Sequence, residues 1–177
     1  MSVAALLLLA QVASVAALGA TPGVSIDWYD VTGGDADAVR AAIDRVRPRD
    51  PNDGLGYDAR TDFAVSWRWP VDGGGRCALD RVALTIRARV AMPRLAGPVA
   101  PALRARWDRY ADALAAHEGR HVARVFARTG EVVAAIRTAT CDTANAAGNA
   151  ALERIKADEI AYDIASDHGR SEGARFP

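Results

Sequence analysis

The chain is short of lysine, histidine and cysteine and carries no excess of either charge, and each shortage narrows what it can be. Arginine carries nearly all the positive charge, yet the formal net charge is zero. Without a basic excess there is no electrostatic footprint for bulk nucleic-acid binding, so nucleic acid is not expected among the partners. Charged residues make up 25% and apolar ones 50%, which excludes a disordered, charge-dominated chain. The abundance of Ala and Arg is a compositional bias that gives the scattered arginines no role of their own. At 177 residues one domain is expected, since domains commonly run ~100–200 residues.

Charge is missing altogether from residues 1–26, where Val3 to Ala10 is an unbroken apolar run followed after Gln11 by Val12 to Leu18. This pattern reads as a secretory signal peptide over residues 1–20, with Ala17, Gly19 and Ala20 supplying the small residues of a cleavage site. The usual basic start is lacking, which a misplaced start codon or an atypical signal would explain. An uncleaved anchor is the alternative, because an apolar stretch approaching about 18 residues is barely long enough to span a bilayer. The small-residue boundary and the missing positive flank favour cleavage. The expected product is a mature domain over 24–177, periplasmic or secreted, with no stable membrane insertion. Cys77 and Cys141 are the only cysteines, and in an oxidising compartment an even count is expected to form one disulfide. Neither has a second thiol nearby with which to share a metal.

Periodicity places the elements. Val24 to Val31 reads as a first strand ending at Gly33-Gly34, and Asp35 is the N-cap of a short helix carrying Val39, Ala42, Ile43 and Val46, stopped by Pro48. Residues 48–60 form a loop. Thr61 to Trp69 sets Phe63, Val65, Trp67 and Trp69 on one face, and Leu79 to Met92 alternates Val82, Leu84, Ile86, Ala88, Val90 and Met92 against arginines, ending at Pro93. Helical periodicity then runs from about Pro101 to Ala139, with a break or kink at Gly130, and from about Thr143 to Ser166, where Gly148 weakens the start. The fold class is therefore α+β: a small, mostly antiparallel three-stranded sheet packed on two long C-terminal helices.

The first long helix contains His117-Glu118-Gly119-Arg120-His121, an H-E-x-x-H pentad. Positions i and i+4 stack on one helix face, so the two imidazoles can reach one tetrahedral Zn²⁺ while Glu118 serves as general base toward a metal-bound water. Leu103, Trp107, Tyr110, Leu114, His117, His121 and Val125 follow at steps of three and four, which puts both histidines on the core stripe. The alternative is a pair of core histidines satisfied by carbonyls or carboxylates. Two histidines flanking a glutamate favour metal. Trp107 and Tyr110 share the stripe and are read as core.

Catalytic zinc sites keep three protein ligands and one open position. The chain has three histidines and the pentad uses two, so His168 is the preferred third ligand. Glu159 and Asp163 compete with it from one face of the second long helix, ahead of Asp158 and Asp167. Asp163 is otherwise expected behind the ligands, accepting from an imidazole.

Several stretches together resemble the bacterial DUF922 family, described as predicted secreted zinc-dependent proteases. They are Tyr29-Asp30-Val31 with Gly33, Tyr57-Asp58-Ala59-Arg60-Thr61, Trp67, Cys77, Pro93, Trp107, Tyr110, Leu114, the pentad, Tyr162-Asp163, His168-Gly169 and Gly173-Ala174. Ser166 stands where the family suggests Thr. The resemblance implies a zincin-like domain in which the Tyr-Asp and His-Gly element joins the site, supporting His168 as ligand and raising Asp163 and Tyr162 as neighbours. It also implies a peptide or protein substrate lying extended along an edge strand.

The combined expectation is an exported zinc peptidase. In it His117, His121 and His168 hold Zn²⁺, Glu118 is general base and Tyr162 is the oxyanion donor, at parity with a role as a buried aromatic anchor. A rival expectation is a non-catalytic, envelope-associated binding module stabilised by a structural zinc.

Overall fold

The computed structural model describes residues 13–49 and 54–176. The first twelve residues of the expected leader and part of the 48–60 loop lie outside the described residues. In chain order the elements are α1 (Ala13–Ala20), β1 (Val24–Val31), α2 (Ala36–Val46), β2 (Arg60–Arg68), β3 (Ala83–Leu95), α3 (Pro101–Arg137) and α4 (Ala144–Ala165), with 3₁₀ turns at Leu79–Arg81 and Arg170–Glu172. Among the described residues no helix is long and apolar enough to cross a membrane. α1, the described end of the expected leader, packs on α3: Leu18 is buried in the core and the Ser14 N–H donates to Asp112.

The fold class is α+β as expected, but the sheet is mixed rather than mostly antiparallel. Its order is β1-β3-β2, with β1 parallel and β2 antiparallel to β3. Periodicity reports which face of a strand is buried and is silent on which strand lies beside it. β3 is the longest strand and buries Ala88, Val90, Met92 and Leu95, so it takes the centre, where both of its edges are paired. It begins after the 3₁₀ turn and continues through Pro93, beyond the expected end. The last β2 rung is Arg60 with Ala91, so at Pro93 the strand is paired only with β1, and the missing N–H is tolerated on the free side.

Asp35 caps α2 as expected, its carboxylate accepting from the Ala38 N–H at 2.8 Å. α3 runs unbroken through Gly130. A glycine there costs about 1 kcal/mol relative to alanine, and burial of Val125, Val132 and Ile136 on either side holds the helix. At Gly148 the small residue serves packing, since a Cβ there would lie 2.9 Å from the Trp67 ring, whose Nε1 donates to Asn145. The Cys77–Cys141 disulfide forms and ties the β2–β3 turn to the α3–α4 turn.

Candidate metal centre

α3 presents the pentad inward: His117 is 2% exposed, Glu118 4% and His121 8%. α4 returns antiparallel beside it and brings Asp163 opposite His117 and Glu159 opposite His121. The two Nε2 atoms lie 3.2 Å apart, and Asp163 Oδ1 lies 3.1 Å from the first and 3.2 Å from the second. The opposite ring atoms are also spoken for. His117 Nδ1 is 2.8 Å from Glu172 Oε2, and His121 Nδ1 is 2.9 Å from Glu159 Oε2. Glu172 and Glu159 can only accept, so in the neutral imidazoles they favour the tautomer with the proton on Nδ1, which leaves each Nε2 lone pair pointing inward.

With both imidazoles neutral, three lone-pair donors face one point and could hold a cation. His117, His121 and Asp163 form a group whose ligand atoms all lie within 4.8 Å of one another, and two imidazoles with one carboxylate suit Zn²⁺ or a similar first-row ion. The surrounding carboxylates favour positive charge at this point, whether a proton or a metal ion supplies it. Burial lowers the pKa of both imidazoles, but the hydrogen bonds to Asp163, Glu172 and Glu159 and the Glu118 charge outweigh it, so both are raised. Burial raises Asp163, yet the two imidazoles hold its carboxyl well below the usual range. Glu172 is drawn down to about 2 because Arg120, His117 and Tyr162 outweigh its desolvation.

Glu118 is turned toward β2, where the Thr61 hydroxyl donates to Oε2 at 2.6 Å. Burial pushes its carboxyl up, and the Thr61 bond and the imidazoles oppose that rise. Glu118 and the metal group line a cleft of about 840 Å³ between β2 and α4.

The structure brings His168 to the site but not into the three-residue group. Its Nδ1 is buried without a hydrogen-bond partner among the described residues, 3.4 Å from Asp163 Oδ2, and its ring lies against Tyr57 at 4.3 Å between centroids. Asp163, expected either as a rival third ligand or behind the ligands, is the residue that completes the group able to hold a metal. Three successive left-handed residues, Asp167, His168 and Gly169, turn the chain here, and the His168 N–H donates to the Asp163 carbonyl at 2.8 Å. Gly169 is required twice over: its φ is +79°, and a Cβ would sit 2.8 Å from His117 Cγ.

Tyr162 stacks on His117, with its hydroxyl 3.0 Å from Glu172 and accepting from Arg120. Asp158 pairs with Arg128 at 2.5 Å. Sequence reasoning missed Thr61 and Glu172 as site residues and treated Glu159 only as a rival ligand. Thr61 gives no signal of its own within an alternating strand. Glu172 lies in a 3₁₀ turn beyond the last helical periodicity.

No curated protein and no solved structure matches the chain. Residues 26–169 match a family described as bacterial protein of unknown function, a description that carries no activity. The chain belongs to that family, DUF922.

Proposed function

We propose that the protein is an exported zinc-dependent peptidase, with His117, His121 and Asp163 as ligands and Glu118 as general base. The observation that carries this reading is the convergence of two Nε2 lone pairs and Asp163 Oδ1 beside a buried glutamate in an open cleft. Zn²⁺ held there would lower the pKa of a bound water from about 15.7 toward about 7 and polarise the scissile carbonyl.

The chain's own residues do the rest. Glu118 takes the proton of the attacking water and returns it to the leaving amine, and Thr61 occupies one of its oxygens throughout. Glu172 and Glu159 keep Nε2 of each imidazole available, and His168 sits against the second oxygen of Asp163. The Tyr162 hydroxyl, bonded to Glu172 beside His117 Nδ1 and not among the groups that line the cleft, steadies that imidazole from behind rather than facing a substrate oxyanion. β2 is an edge strand, so a peptide can pair with its outer backbone and lie across the metal group. The disulfide supports an oxidising compartment, and together with the apolar N-terminal stretch it supports reading the protein as periplasmic or secreted.

The test is Glu118→Gln, assayed for zinc content and for cleavage of a peptide library. The expected result is one zinc per chain with cleavage reduced by about 10²-fold or more. Bound zinc with no cleavage by the wild type would instead favour the non-catalytic module.

A further inference from the structure

Three elements leave the metal group in the same direction, and each is apolar as it goes. On the antiparallel pair α3 and α4, His121 faces Glu159, and one turn further along Val125 and Ile155 are buried in a common cluster that also takes Phe63 and Leu152. β2 runs alongside them. Thr61 meets Glu118 at the level of the metal group, whereas Trp67 reaches Asn145 and Gly148 near the start of α4.

Between those two levels β2 turns Phe63 and Val65 inward at alternate positions, and both line the cleft with Val125, Leu152 and Ile155. The charged residues of this stretch, Glu153 and Lys156, are exposed, while Leu152 is half-buried and Ile155 buried. Beyond Val65 the strand leaves the cleft: Trp67 does not line it, and its Nε1 donates to Asn145 Oδ1 at 2.9 Å. The four steps from Thr61 to Val65 span about 13 Å, enough for the side chains of one or two substrate residues.

A peptide paired with the free edge of β2 sends alternate side chains toward the inner face of the sheet, which here is this slot. We propose that Phe63, Val65, Val125, Leu152 and Ile155 select substrates with a bulky apolar side chain next to the bond that is cut. The slot is continuous with the metal group and has apolar residues on the strand and on both helices. A charged side chain seated between Val125 and Ile155 would lose its hydration, because Glu153 and Lys156 line the cleft only from exposed positions. This inference rests on the zinc-peptidase reading and names the substrate class of that site.

The test uses binding rather than turnover. Affinities of acetohydroxamate and 4-methylpentanohydroxamate for the zinc-loaded wild-type protein are measured by calorimetry. Both present the same metal-binding head, and only the second carries a branched apolar chain. The branched compound is expected to bind at least about tenfold more tightly, and Leu152→Glu, or the milder Val65→Thr, should bring the ratio of affinities toward one. Equal affinity in the wild type, or a preference that survives both substitutions, overturns the slot. Failure of both hydroxamates to bind overturns the metal-site reading beneath it, and the slot with it.

Discussion

Asp163 and His168 show how closely two residues can share a site while holding different positions in it. Asp163 Oδ1 lies within 3.2 Å of both Nε2 atoms, whereas His168 Nδ1 approaches only the second oxygen, at 3.4 Å. Asp163→Ala should therefore abolish stoichiometric zinc, while His168→Ala should retain most of it at an affinity lowered about 10- to 100-fold, as for a residue that orients a ligand. Metal analysis after dialysis decides between them; the reverse pattern would return His168 to the ligand set.

Thr61 offers a second residue-level prediction. Its hydroxyl is the hydrogen-bond donor seen on a carboxylate that is almost fully buried, and removing the donor from a buried acceptor costs about 1–3 kcal/mol. Thr61→Val keeps the shape and should lower both stability and kcat with zinc retained, and Thr61→Ser should recover both. If the valine variant matches the wild type in kcat, the bond has no part in positioning Glu118.

At the scale of elements, the segment before β2 is held by one carboxylate. Asp58 accepts two hydrogen bonds from Arg40, at 2.6 and 2.7 Å, and one from Tyr110 at 2.8 Å, while its carbonyl accepts from Tyr29. Asp58 thereby joins β1, α2 and α3, with Tyr57 delivered to His168 on one side and Thr61 to Glu118 on the other. Burial raises the Asp58 carboxyl, but Arg40, Tyr110 and Arg47 outweigh it and hold its pKa below the ordinary value.

A depressed folded pKa contributes stability that is fully present above the unfolded value of about 3.9 and is lost as pH falls through the folded value. Stability should therefore drop as pH falls below about 4. Asp58→Asn should cost about 2 kcal/mol at neutral pH and flatten that acid limb. Denaturant titrations at stepped pH check this, and an acid limb unchanged in the variant would remove Asp58 as its source.

For the whole molecule, the disulfide and the metal group clamp opposite ends of one assembly. Cys77–Cys141 staples the sheet to the helix pair at the turn end, while His117, His121 and Asp163 join the helices further along. A bridge across a sequence separation of 64 residues contributes about 4 kcal/mol in the chain-entropy account. Replacing both cysteines by serine should lower stability by roughly that amount with zinc still bound, read by thermal unfolding with and without added metal. A variant that loses zinc altogether would show that the two clamps are not independent.

The pentad, its place on the core stripe, the cysteine pair, the strand faces and the two long helices were legible in the residues, because each is a local pattern of spacing along one element. What tertiary structure alone decided depends on distance between elements. β1 pairs with β3 rather than β2, since face periodicity says nothing of neighbours. Asp163 enters the metal group because α4 returns antiparallel in a register that sets it opposite His117. Glu172 reaches the same imidazole from a turn that carries no periodic signal, and Thr61 meets Glu118 only because β2 lies at the cleft. The sequence by itself determined which side chains could bind a metal. Their distances, and so which of them face a common point, were decided by the packing of α4 and β2 against α3.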